Sequence, residues 1–112
     1  MKDCIFCKIA NKEIPSEVVY EDDKVLAFTD VKPVAPVHLL IIPKRHIPSV
    51  DHLGKEDREL MGELFLVAQK LARKYEIDKT GYRLIFNVGK DAGQTVDHLH
   101  LHLMGGRKLI WA

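Results

Sequence analysis

Three histidines, His98, His100 and His102, stand at alternate positions in Asp97-His98-Leu99-His100-Leu101-His102-Leu103-Met104. Imidazole is a good nucleophile toward phosphorus, and an ordinary pKa near 6.5 leaves it largely neutral at pH 7. Just before the histidines runs Gly89-Lys90-Asp91-Ala92-Gly93-Gln94-Thr95. Glycines let backbone N–H groups approach a ligand closely, and such groups bind phosphate oxygens. The stretch lacks the phosphate-loop pattern of a nucleotide-triphosphate enzyme, but it leads straight into the imidazoles and predicts an anion site beside them. A histidine row could serve as a nucleophile with proton-donating neighbours, or as ligands of a catalytic ion.

A second group of chemistry-bearing residues opens the chain, where Cys4 and Cys7 form a C-x-x-C. That spacing is a zinc half-site, and tetrahedral zinc needs two further ligands. His38, His46, His52 and His98 are candidates. A redox pair is the other reading, although thioredoxin-like motifs accompany a βαβ pattern that is absent here.

Elements must position these groups. In a strand, side chains alternate faces, so the three histidines share one face with alternate residues roughly 6.5–7 Å apart. Leu99, Leu101 and Leu103 then point to the other face, and the pattern predicts a strand from Asp97 to Met104. Asp3 is placed to cap a short helix from about Cys4 to Asn11, which Pro15 keeps short. Glu17 to Glu21 and Val25 to Thr29 read as a hairpin turning at Asp22-Asp23. Val37 to Ile42 reads as a buried strand interrupted by His38, and Tyr82 to Val88 as another strand. One long helix is predicted from about Lys55 to Tyr75, with Leu60, Leu64, Val67, Leu71 and Tyr75 at helical spacing. Strands, helix, strands, with short connections, indicate an α+β fold whose sheet is mainly antiparallel.

The 112 residues are expected to form one domain, 1–112. The net charge is +1, and basic residues cluster no further than pairs such as Lys44-Arg45, which argues against nucleic acid as a partner. Apolar runs are too short to span a bilayer, and no charged-then-apolar signal opens the chain. A cytoplasmic location is expected.

The run His98-Leu99-His100-Leu101-His102-Leu103-Met104 resembles the signature of the histidine triad (HIT) family, in its Hint branch. Matching stretches are C-I-F-C-K-I from Cys4, E-I-P from Glu13, L-A-F-T-D from Leu26, A-P-V-H-L-L-I-I-P from Ala35, F-N-V-G from Phe86, A-G-Q-T-V from Ala92, and G-G-R from Gly105 followed by Trp111. The resemblance implies the HIT fold: about five mainly antiparallel strands, one long helix and a short N-terminal helix, pairing into a two-fold dimer. It implies hydrolysis of purine nucleoside phosphoramidates to a nucleoside monophosphate, usually AMP, and an amine, through a nucleotidyl-histidine intermediate.

By the same resemblance His100 is the nucleophile, and His102 contacts the phosphate and assists the leaving group. Thr95, where the family often has serine, places a hydroxyl near the bridging nitrogen. Asn87, Gly93 and Gln94 line the phosphate site, and Asp30 binds the ribose hydroxyls with backbone help from Val31. Ile5, Phe6, Ile9, Ile14 and Phe28 form the base pocket; without the resemblance their spacing reads as plain core. Zinc is implied as a structural ion on Cys4, Cys7, His46 and His98, with no metal required for the chemistry. His98 and His38 are counted with His100, His102 and Thr95 as catalytic residues, although a zinc-bound His98 is not a freely titrating acid–base; His38 reads as a supporting partner packed beside His98 or, taken alone, as a satisfied core histidine. The apolar tail Leu109-Ile110-Trp111 is expected to reach toward the active site of a homodimer partner. Dinucleoside polyphosphate hydrolysis, a non-catalytic nucleotide-binding scaffold and a metal-dependent hydrolase are the alternatives.

Overall fold

A computed structural model describes residues 3–111. Helix α1 (Ile5–Ala10) is followed by strands β1 (Val18–Glu21), β2 (Val25–Thr29) and β3 (Val37–Pro43). Helix α2 (Arg58–Lys74) then leads to β4 (Tyr82–Phe86) and β5 (Leu101–Gly105). Single helical turns stand at Val50–His52, Lys55–Asp57 and Lys90–Ala92. The sheet order is β1-β2-β3-β5-β4, and every neighbouring pair is antiparallel.

Local chemistry sets the element ends. The β1–β2 turn is fixed by Asp22, whose Oδ1 accepts from the amides of Lys24 and Val25, both at 2.8 Å. The cap of α1 is Cys4 and not Asp3: the Cys4 Sγ accepts from the Cys7 amide at 3.3 Å. Helix α1 stops before Pro15 matters. Lys12 adopts a left-handed φ of 64°, its amide bonds the Ile9 carbonyl, and the Glu13 amide bonds the Lys8 carbonyl. Glu76 ends α2 in the same way, with the Ile77 amide on the Ala72 carbonyl. Both are Schellman closures, which satisfy helix carbonyls that would otherwise lack donors. The predicted start of α2 at Lys55 is a separate helical turn, because Asp57 accepts from the Gly54 amide at 2.9 Å and pairs with Arg45.

Period-two alternation divides the sheet into two apolar faces. On one, Val25, Ala27, Leu39, Ile41, Leu101 and Leu103 meet Leu64, Val67, Ala68 and Leu71 of α2. On the other, Leu26, Phe28, Leu40 and Ile42 pack against Phe6, Ile9 and Ala10 of α1. Leu101 has no exposed surface, so Leu101→Ala is expected to cost about 3 kcal/mol from lost burial plus the remaining cavity. Urea denaturation at matched metal content is the measurement.

Two strand boundaries differ from the sequence reading. Strand β4 ends at Phe86 and not Val88. Strand β5 begins at Leu101, so His98 and His100 precede the ladder. The Leu99 amide is committed to the Ile47 carbonyl at 2.7 Å, which pulls this segment away from strand pairing. Alternation nevertheless persists, with Leu99 buried in the α2 face of the core. The G-G-R motif ends β5 against the loop that leads into β3: a Cβ at Gly106, whose φ is +98°, would stand 2.9 Å from the Pro36 Cβ. Arg107 next to it donates to the Val34 carbonyl at 2.6 Å.

Candidate active site and metal centre

The histidines lie on the α1 side of the sheet, and their hydrogen bonds fix which nitrogen of each carries a proton. His100 is 7% exposed and its Nδ1–H donates to the His98 carbonyl at 2.7 Å. In the neutral ring Nε2 therefore presents a lone pair. The Phe6 ring stands edge-on to His100, 5.1 Å between centroids, and the His102 ring is 5.0 Å away.

Register sets the next pair. Leu40 of β3 faces His102 of β5, and His38 lies two residues before Leu40 on the same face. The Val34 amide donates to His38 Nδ1 at 3.1 Å, which places the His38 proton on Nε2. That N–H donates to His102 Nδ1 at 3.0 Å, with Asp30 Oδ2 3.4 Å away. The remaining proton of neutral His102 then sits on Nε2, an atom that is buried and has no partner among the described residues. A buried donor without an acceptor is costly, and an anionic oxygen would satisfy it. His38 lies beside His102 and not beside His98, because the β3–β5 register brings those two together; buried, with both ring nitrogens bonded, it fits the reading of a satisfied core histidine.

Burial favours the neutral form of His102, His98 and His38. His102 is pushed down to about 4 by burial, helped by repulsion from His100 and His38 and opposed by Asp30. His98 also falls to about 4 through burial, against the hydrogen bond to Pro43. His38 is lowered by burial, with Asp30 opposing. A histidine held neutral when folded protonates more readily when unfolded, at its ordinary 6.5. Stability from these groups is present above pH 6.5, erodes as the pH falls, and is lost near pH 4. A urea midpoint that falls steadily from pH 7 to about 4.5 is the expected result.

The second donor set gathers at the base of α1. Cys4 Sγ is 3.2 Å from His98 Nδ1, Cys7 Sγ is 3.3 Å from His46 Nδ1, and Cys7 Sγ is 3.5 Å from His98 Nδ1. All four ligand atoms lie within 4.8 Å of one another. His98 Nε2–H donates to the Pro43 carbonyl at 2.8 Å, so its Nδ1 lone pair faces the sulfurs. Burial raises the Cys7 thiol, with Cys4 adding to the effect, and burial lowers His46. Tetrahedral bonds of about 2.3 Å to sulfur and 2.0 Å to nitrogen put S and N roughly 3.5 Å apart. The donor set fits a metal ion of this kind. Asp30, His38 and His102 also approach one another. The Val34 amide, however, keeps a proton on His38 Nε2, which makes that group a hydrogen-bond chain. Among the described residues, His98, His100 and His102 do not form one common ligand set.

The other expected site residues fall in different surroundings. Phe6, Ile9 and Phe28 are buried together with Ile14 packed on them, whereas Ile5 is 48% exposed. Asp30 directly follows β2, with its amide on the His38 carbonyl and its Oδ1 accepting from the Lys32 amide at 2.8 Å. Val31 is exposed, and Asn87 is half-buried just after β4. Gly93 is left-handed, φ 85°. Gln94 braces its own loop: Oε1 accepts from the Gly89 amide, and Nε2 donates to the carbonyls of Pro48 and Val96. Thr95 lines an open cleft with Cys4, Ile5, His46 and Val96. His52 is on the surface beside Ser49. The Val34 amide and the Pro43 carbonyl are functional groups that sequence reading missed, since a main-chain group carries no residue signal.

The sequence matches the HIT domain over residues 11–109. It is 47% identical to the purine nucleoside phosphoramidase of Escherichia coli K12 over 108 residues, covering 96% of this chain and 91% of that one. A HIT family hydrolase from Legionella pneumophila superposes with a TM-score of 0.96 at 50% identity, covering 97% of each chain. A histidine triad protein from Clostridium difficile gives a TM-score of 0.96 at 48% identity, covering 100% of this chain and 97% of that one. No helix of the described residues is long and apolar enough to cross a membrane.

Proposed function

The chain belongs to the HIT domain family, and from that premise we propose that it is an enzyme that hydrolyses purine nucleoside phosphoramidates to a nucleoside monophosphate and an amine. The observation that carries this reading is the pair of fixed tautomers: a lone pair on His100 Nε2 beside a proton on His102 Nε2 that lacks a partner. Identity to a purine nucleoside phosphoramidase over nearly the whole chain supports the choice of substrate.

In this proposal His100 Nε2 attacks phosphorus and the P–N bond breaks. The His102 N–H binds a phosphate oxygen, where charge grows in the transition state. The Thr95 hydroxyl assists protonation of the departing nitrogen. Water then displaces His100 from the nucleotidyl-histidine, releasing the monophosphate. His38 positions His102 by holding its Nδ1, and Asp30 and the Val31 backbone take the ribose hydroxyls. Asn87, Gly93 and Gln94 border the phosphate, with Gln94 acting through the loop it braces. Phe6, Ile9, Ile14 and Phe28 wall the base, with Ile5 at the rim. A panel of adenosine and guanosine phosphoramidates, run beside diadenosine polyphosphates, tests the activity. Preferential release of monophosphate from the phosphoramidates is expected, and preferential polyphosphate cleavage is the contrary result.

The metal is proposed to be zinc. Two sulfurs and two nitrogens complete a tetrahedron and leave no open position, so the ion supplies structure and not chemistry. It ties α1 and the His46 turn to the segment that enters β5. Thiols kept reduced for a metal agree with a cytoplasmic location. A homodimer is proposed through β4, an edge strand of the sheet. A cleft beside it is lined by Ile85, Phe86, Met104 and the exposed Trp111.

A further inference from the structure

We propose that Cys4 and Cys7 are a modification site as well as ligands: a small-molecule disulfide oxidises them to an intrachain disulfide, which expels the ion and frees His98. The inference rests on the zinc reading above. Three residues of helical rise and rotation put the two Cα atoms about 5 Å apart. A disulfide spans Cα separations of about 4.4–6.8 Å. The two sulfurs lie within 4.8 Å of each other, and the Cys7 amide already donates to the Cys4 Sγ, so both side chains face one space.

Access differs between the two. Cys7 is buried, whereas Cys4 is half-buried and lines the cleft shared with Ile5, His46, Thr95 and Val96. The oxidant therefore meets Cys4 first. The Cys4 thiolate attacks one sulfur of the disulfide, forming a mixed disulfide and releasing one thiolate. Cys7 then attacks the Cys4 sulfur, breaking that bond and releasing the second thiolate. Two ligand thiolates lose two electrons, the oxidant becomes two thiolates, and the ion departs as a divalent cation.

The consequence reaches the nucleophile through one residue. His98 offers Nδ1 to the metal centre and its main-chain carbonyl to His100 Nδ1–H. Oxidation removes the ligand partner of His98 and leaves the Pro43 carbonyl as its remaining side-chain hydrogen bond among the described residues.

The test titrates the zinc-loaded full chain with glutathione disulfide while intact mass and released zinc are followed. The expected result is the loss of two hydrogens and the release of one zinc per chain, reversed by dithiothreitol and zinc. Cys7→Ser is expected to halt at a glutathionyl adduct on Cys4. Thiols that stay reduced with zinc retained, or a wild-type chain that halts at the Cys4 adduct, would overturn the proposal. Zinc is counted before the titration: a chain without it refutes the zinc reading, and the mass then still decides the disulfide.

Discussion

Replacing His100 with alanine is expected to lower kcat/KM for adenosine 5′-phosphoramidate by about ten-thousand-fold, leaving the fold intact. In the proposed mechanism the side chain supplies the attacking atom, so no neighbour substitutes for it. His102 has its Nδ1 occupied by His38, and the His98 Nδ1 faces two sulfurs. The fold should survive, because the acceptor that orients His100 is the main-chain carbonyl of His98, which the substitution leaves in place. His102→Ala removes a hydrogen-bond donor and not the bond-forming atom, so its expected loss is smaller, about a hundred- to a thousand-fold. The two variants are compared by steady-state kinetics, with circular dichroism to establish folding. A His100→Ala protein that retains wild-type turnover would place the nucleophile elsewhere.

Stripping the metal should produce the largest change in stability. The four candidate ligand atoms come from α1 and its cap, the turn after β3 and the entry to β5, so one ion would join three separate segments. Free zinc about a thousandfold above its dissociation constant stabilises the folded state by about 4 kcal/mol. For a chain of this length that is a rise in Tm on the order of 15 °C. Calorimetry of loaded and stripped protein, with the zinc counted in each, reads the difference. Equal midpoints would remove the structural role from the ion. Residual turnover by stripped protein that remains folded is expected, because no step of the proposed mechanism passes through the metal.

Much of this was legible in the sequence because alternation is a property of neighbours. Leu99, Leu101 and Leu103 separate from the histidines whether or not the segment is paired, and they are buried beneath α2 as their spacing requires. Where two distant segments meet is not a neighbour property. His38 reads from sequence as a core histidine or a partner of His98; that it lies against His102 is a result of the β3–β5 register that one sequence does not display. The early end of strand pairing has the same origin: Ile47, fifty-two positions before Leu99 in the chain, takes the Leu99 amide. Cys4 displaced Asp3 as the cap because its sulfur serves the helix and the donor cluster together. The tautomers that give His100 and His102 different roles depend on the Val34 amide and the His98 carbonyl, which look alike in any residue.

A double displacement at phosphorus is the central claim, and the configuration of the product tests it most directly. A P-chiral adenosine phosphoramidothioate hydrolysed in oxygen-labelled water should yield a phosphorothioate with net retention, because attack by His100 and then by water each invert the centre. Net inversion would mean that water attacks once, without a nucleotidyl-His100 intermediate, and would contradict the account.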